Sequence, residues 1–309
     1  IQEKAYITAK NTVKKLKHKK LTNASIMILE NASSDILAMV GSVNYFKDIE
    51  SGQVNGALAL RSPGSALKPF TYATAIEHRR ITPSTIIPDV KTYIRSFDGA
   101  YIPVNDNLVY HGPITVRKAL ACSYNVPAAR VIAETSTTAV LDKLKQCGFR
   151  SLRGDAQEYG AALTLGGADI MLYELCAGYL MFSNKGVYRP IRFIKKIVDT
   201  NGNEISNKIE PEARKVFSEQ TSFIITDFLS DNRAREDAFG RLSYLNLPFF
   251  CAAKTGTSKG FRNNWTVGFS KSYTVGVWVG NFDNSPMQGV TGVTGAGGIF
   301  RSLILNLEQ

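Results

Sequence analysis

Arg61-Ser62-Pro63-Gly64-Ser65-Ala66-Leu67-Lys68-Pro69-Phe70 is the stretch on which the reading of this chain turns. Pro63-Gly64 marks a turn. Leu67, Phe70, Tyr72, Ala73 and Ile76 then recur at spacings that predict a buried helix. Ser65 stands at or near the start of that helix. Lys68, three residues on, shares its face and can reach its hydroxyl. A serine is a weak nucleophile until a base takes its proton. A lysine in a dry pocket can be that base, because burial disfavours the ammonium form and lowers its pKa. Pro69 cannot donate to the Ser65 carbonyl four residues back, so an irregular first turn is predicted. Alone, S-x-x-K equally describes a capping serine beside a solvated lysine.

Two further motifs follow in order, the S-x-N of Ser123-Tyr124-Asn125 and the K-T-G-T of Lys254-Thr255-Gly256-Thr257. Ser123 and Asn125 follow a predicted helix at residues 115–122. The Ser123 hydroxyl can pass a proton from the Ser65–Lys68 pair to a leaving amine. The Asn125 amide can hold the Lys68 ammonium and a substrate carbonyl. Lys254 ends an apolar strand. Its charge, with the hydroxyls of Thr255 and Thr257, suits a terminal carboxylate. Gly256 leaves room where substrate approaches the backbone, so an extended peptide can add to the strand. The backbone N–H groups of Ser65 and Thr257 would make an oxyanion hole.

The 309 residues suffice for a sizeable core, and no apolar run has the length of a membrane span. The formal charge of +11 is concentrated in part in Lys10, Lys14, Lys15, Lys17, Lys19 and Lys20. This cluster reads as the solvated face of a linker helix, with attraction to anionic lipid or polymer as the other option. Nucleic-acid binding has no supporting motif. Cys122, Cys147, Cys176 and Cys251 form no C-x-x-C, and the three histidines are dispersed, so neither a metal site nor a cofactor is expected. Cys122, Cys176 and Cys251 lie in apolar surroundings and read as small buried hydrophobes. The chain opens inside an apparent helix without a start methionine, which reads as a fragment of a longer protein, and any membrane anchor would then lie upstream.

In order, residues 1–21 read as a basic linker helix. Residues 24–29 and 36–40 form a hairpin about Asn31-Ala32-Ser33-Ser34-Asp35. Residues 80–113 are an irregular crossover with four prolines. Helices follow at residues 115–122, 126–134, 137–146 and 169–183, the last capped by Asp169. A strand is expected at 191–199, with a tight turn at Asn201-Gly202-Asn203, and a helix at 217–229. Strands at 249–254, 265–269 and 273–279 lead to a glycine-rich loop and a closing helix at 299–307. Trp265 and Trp278 read as core. The expected fold is mixed α/β (α+β). A central antiparallel sheet from residues 22–42 and about 190–309 is flanked by helices, with an inserted helical lobe at about 80–189.

The three motifs together resemble the catalytic set of the penicillin-binding proteins and class A β-lactamases. The Ser65 stretch is similar to the first motif of the class A, bifunctional penicillin-binding proteins. Tyr101-Ile102-Pro103-Val104-Asn105 resembles their Tyr-x-Pro-x-Asn segment, and Leu165-Gly166-Gly167-Ala168 and residues 179–190 resemble their helical lobe. Residues 254–265 and 273–281 are most similar to the 1C branch of that family. Asn263-Asn264 departs from it, since an Asp usually precedes the tryptophan. The resemblance covers residues 22–309 and implies a transpeptidase domain at the extracytoplasmic (periplasmic) face, membrane-anchored in the full-length protein. It implies a serine-type D-Ala-D-Ala transpeptidase that acylates Ser65 with a peptidoglycan stem peptide and passes the acyl group to an amine. β-Lactam antibiotics would stop at the acyl-enzyme. Two alternatives share the triple: a D,D-carboxypeptidase or β-lactamase-like hydrolase, and a non-enzymatic penicillin-binding sensor. Against a class A β-lactamase, no E-x-x-L-N follows Asn125.

Overall fold

A computed structural model describes residues 1–96, 99–205 and 212–309. Residues 97–98 of the expected crossover and 206–211 of the C-terminal half lie outside the described residues. At the centre is a five-stranded sheet in the order Ile36–Val40, Asn23–Glu30, Tyr273–Gly280, Asn263–Phe269, Ala252–Thr257. Every pairing is antiparallel. The first strand is an almost unbroken apolar run because both of its faces are covered. Its side chains alternate between two cores. Met27 and Leu29 join the core under the helical lobe, and Ala24, Ile26 and Ile28 join the core on the opposite face.

The opposite face is closed by the two chain ends. The helix Ala296–Leu307 buries Ile299, Phe300, Leu303 and Ile304 there. Beside it lies the helix Gln2–Leu16. Residues 1–21 are therefore not the expected linker. Ala5, Ala9 and Val13 are buried at a four-residue spacing, while Lys10, Lys14, Lys15 and Lys17 remain exposed on the other side. The basic face is solvated, and the helix as a whole is packed.

On the other face sits the lobe. Its central helix, Leu172–Ser183, is buried all round and touches the first, Asn263–Phe269 and Tyr273–Gly280 strands. Asp169 does not cap it. The helix starts later, after Met171, and the Glu174 carboxylate accepts from the Met171 N–H at 3.2 Å. The helices Val116–Ala121, Asn125–Thr135 and Thr137–Gln146 lie close to their expected spans. Glu219–Ser230 begins after Ser218, whose hydroxyl accepts from the Thr221 N–H. The crossover holds two small ribbons, Ile86–Asp89 with Gly112–Thr115 and Ile94–Ser96 with Gly99–Tyr101.

The C-terminal part of the central sheet starts at Ala252, not near residue 190. The strand expected at 191–199 is absent. Among the described residues that segment pairs through isolated bridges, Asp35 with Arg192 and Val198 with Glu204. Its β-branched residues satisfy strand propensity, but Ile194, Ile197 and Val198 stand exposed, and among the described residues no sheet edge pairs them. Asn201-Gly202-Asn203 does turn the chain, with the Asp199 carboxylate accepting from the Asn201 and Asn203 N–H groups. All four cysteines are buried and free. No helix of the described residues is long and apolar enough to cross a membrane.

Candidate active site

Ser65 lies in a 3-10 turn, Gly64–Leu67, that runs directly into the α-helix Lys68–Glu77. The local chemistry explains the join. The Ser65 carbonyl cannot be met by Pro69 and is met instead by the Lys68 N–H, one residue earlier. Three neighbours pin the turn. Trp265 Nε1–H donates to Ser62 O, Ser62 Oγ–H to Gly166 O, and Tyr179 O–H to Ala66 O, each at 2.8 Å. Trp265 is thus a core residue that also clamps the first motif. Among the described residues, Ser65 Oγ makes no hydrogen bond, and Ser65 is half-buried.

The Ser123–Asn125 turn comes next. The helix Val116–Ala121 closes with Ser123 N–H on Leu120 O and Tyr124 N–H on Ala119 O, a Schellman ending. That ending requires a left-handed residue, and Ser123 has φ +62° where glycine is usual. The left-handed conformation costs a serine about 1–2 kcal/mol. The hydroxyl is what the position gains. Lys254 Nζ donates to Ser123 Oγ at 2.7 Å, and Lys68 Nζ lies 3.4 Å from the same oxygen. Lys68 Nζ also donates to Ser123 O and, at 2.7 Å, to Asn125 Oδ1.

Asn125 matches half of its expectation. Its oxygen holds Lys68. Its Nδ2–H groups, expected to meet a substrate carbonyl, donate to Val104 O and Asp106 Oδ1, both at 2.9 Å. The amide is thus committed to the loop of residues 104–106.

Lys68 is fully buried, and desolvation pulls its pKa down to about 7 against a smaller opposing pull from Asp106. Lys254 is pushed well below its ordinary value, first by burial and then by Lys68. Two buried amines that share one hydroxyl cannot both carry charge cheaply. The fixed charge expected of Lys254 is therefore disfavoured by its own surroundings.

The strand Ala252–Thr257 is the last of the sheet, so among the described residues one side has no strand partner. Ser258 N–H bonds Asn263 O, and antiparallel alternation then points the amides of Gly256 and Lys254 inward. The Thr255 and Thr257 amides point to the open edge. Gly256 needs its glycine for a different reason than expected. A Cβ there would fall 2.1 Å from Pro63 O, so the space belongs to the chain itself and not to substrate. Gly64, at φ +53°, is matched to it, since its Cβ would lie 2.4 Å from Thr257 O. Backbone contact between the first and third motifs sets the Ser65–Thr257 spacing. Gly256→Ala is expected to cost about 1–3 kcal/mol, read as a lower denaturant midpoint. An unchanged midpoint would show that the contact is soft.

Thr257 Oγ accepts from the Gly292 N–H at 3.0 Å, which leaves its own O–H to donate. Gly292 O in turn accepts from Thr266 Oγ–H at 2.9 Å. The glycine-rich loop thus buttresses the third motif from behind. Among the described residues, no three His, Cys, Asp or Glu side chains converge as a metal site.

Residues 24–304 match the family model for the penicillin binding protein transpeptidase domain. The chain belongs to that family. Penicillin-binding protein 1C of Escherichia coli (strain K12) is 28% identical over 281 residues, 89% of this chain and 33% of the relative. Penicillin-binding protein 1A of Aquifex aeolicus (strain VF5) is 34% identical over 260 residues, 83% of this chain and 34% of the relative. The chain spans about a third of the length of these curated relatives. In fold it is similar to PonA1 of Mycobacterium tuberculosis in complex with penicillin V, with a TM-score of 0.80, 20% identity, and coverage of 98% of this chain and 83% of that one. The apo transpeptidase domain of Burkholderia pseudomallei penicillin-binding protein 3 has a TM-score of 0.76 at 20% identity, with coverage of 99% and 92%. The transpeptidase family is an acyl-transfer family, and in this chain Lys68, Ser123, Asn125 and Lys254 meet beside the Ser65 turn.

The sequence reading missed Asp89, Asn105, His111 and Tyr179, which hold the motifs without belonging to them. Asn105 and Tyr179 lie within segments that carry the family resemblance, the first as the last residue of Tyr-x-Pro-x-Asn and the second at the start of 179–190, while Asp89 and His111 had no such signal.

Proposed function

We propose that this domain is a serine-type peptidoglycan D,D-transpeptidase that cross-links stem peptides through a Ser65 acyl-enzyme and binds β-lactams covalently. One observation carries the reading: Lys68, Ser123, Asn125 and Lys254, far apart in sequence, form one hydrogen-bonded cluster beside the Ser65 turn. Lys68 follows Ser65 by one helical turn, and with a pKa of about 7 a large fraction is neutral amine at neutral pH. As Ser65 Oγ attacks the carbonyl between two D-alanines, its proton passes to Lys68 Nζ. The N–H groups of Ser65 and Thr257 stabilise the oxyanion. Ser65 lies in the opening turn of its helix, where amides lack intrahelical partners. The proton moves by way of Ser123 Oγ to the leaving nitrogen, the C–N bond breaks, and terminal D-alanine departs as a neutral amine. An acceptor amine from a second stem then attacks the ester, forms the amide and returns the proton to Ser65.

The donor peptide adds to the open edge of Ala252–Thr257, with its terminal carboxylate on Thr255, Thr257 and Lys254. An arriving carboxylate restores the charged form of Lys254 that burial disfavours. β-Lactams present the same carbonyl and carboxylate. The full-length protein is membrane-anchored and works on the extracytoplasmic face.

Intact mass should rise by one drug molecule after penicillin treatment, peptide mapping should place the adduct on Ser65, and Ser65→Ala should show no rise. An adduct on another residue would overturn the assignment.

A further inference from the structure

Asp89 is a fully buried carboxylate outside all three motifs. It ends the strand Ile86–Asp89 and faces two partners. Asn105 Nδ2–H reaches both of its oxygens, at 2.9 and 2.8 Å. His111 reaches it twice, from its backbone N–H at 3.0 Å and from its ring Nδ1 at 2.5 Å.

Each partner then grips the Ser123–Asn125 turn. With Nδ2 held by Asp89 and Val109 O, Asn105 can only present its oxygen to the helix Asn125–Thr135. There Oδ1 accepts from the Asn125 N–H at 2.8 Å and the Val126 N–H at 3.2 Å, capping the helix from outside its own sequence. The ring of His111 stacks on Tyr124, with centroids 4.0 Å apart and planes at 17°. Tyr124 lies between Ser123 and Asn125. One carboxylate therefore fixes both sides of a turn whose first residue is left-handed without being glycine.

We propose that Asp89 is a positioning residue for acylation: through Asn105 and His111 it holds Ser123 and Asn125 where they meet Lys68 Nζ. The inference rests on the acyl-serine reading above. Asp89 touches neither Lys68 nor Ser65 and transfers no proton. Its effect is on alignment, where a shift of about 1 Å can cost about 100-fold in rate.

The test measures the chemical acylation constant of a fluorescent penicillin separately from its non-covalent dissociation constant, alongside the melting temperature. Asp89→Asn sets one amide N–H₂ against another. It should lower the acylation constant about 10–100-fold and leave the dissociation constant within about twofold. The exchange Asp89→Asn with Asn105→Asp restores donor facing acceptor between the two side chains and keeps an acceptor on the helix N-terminus, but it sets a carboxylate oxygen against Val109 O, so it should recover part of the loss and not all of it. His111→Phe keeps the ring stack, loses one hydrogen bond, and should fall between. If Asp89→Asn does not fold, His111→Phe and the exchange carry the comparison. An unchanged acylation constant overturns the proposal. So does a loss shared equally by binding and chemistry that tracks the melting temperature and that the exchange does not recover, because that is a purely structural role. Labelling that persists in Ser65→Ala would remove the acyl-serine reading and this inference with it. Labelling lost in Ser65→Ala but untouched in the Asp89 variants removes the inference alone.

Discussion

Lys68→Ala should slow acylation by a β-lactam about 10²–10⁴-fold while the initial non-covalent complex forms almost as before. A general base acts as the serine proton leaves, so its removal is felt in the transition state and hardly in the ground state. Burial is what suits the lysine to the proposed role. Water would hold the amine protonated, and the fully buried pocket holds its pKa near 7. The sign of the pH dependence follows. Below about pH 7 the ammonium form accumulates, and wild-type acylation should fall about tenfold per pH unit. Above it the rate should level off, and the alanine variant should lose this limb. Single-turnover mixing at several pH values measures both. Equal acylation constants for wild type and variant at neutral pH would remove Lys68 from the mechanism.

The motifs were legible in the sequence because each is a local pattern. S-x-x-K places two groups on one helix face, and Gly256 announces that something lies close. What lies close was not legible. The glycine makes room for Pro63 O, a contact across nearly two hundred residues that no spacing encodes. Asn125 shows the same limit. Its oxygen is on Lys68 as expected, but its nitrogen is held by a loop that enters from residues 104–106. In the fold, the five strands stand close to where alternation and apolar runs placed them, while 191–199 shows propensity without a partner. The N-terminal helix carried a usable signal that its lysines obscured. Ala5, Ala9 and Val13 recur every fourth residue, a narrow apolar stripe that small side chains make easy to overlook. Asp89 carried none, because its role depends on two segments brought together by a ribbon.

The acyl group on Ser65 should outlast a β-lactamase cycle by orders of magnitude, with a penicilloyl adduct that persists for many minutes. Rapid hydrolysis needs a base that activates water against the ester. Among the described residues, Asp106 is the carboxylate whose charge acts on Lys68, and one of its oxygens is held by Asn125 Nδ2–H. Asp89 is sealed beneath Asn105 and His111. Glu77 is bound by Ser218 and Thr221, and Glu174 by Ser151 and Met171. In the proposed mechanism Lys68 takes the serine proton on acylation and must lose it before it can serve again. An acceptor amine differs from water in bringing its own nucleophilicity once deprotonated, so the ester should wait for it. With a stem-peptide donor and an added amine, product should partition toward the amide. The checks are a time course of intact mass after free drug is removed, and chromatography of the donor products. Loss of the adduct within seconds would establish a hydrolase with an activating group other than these carboxylates, and the transfer reading would fall.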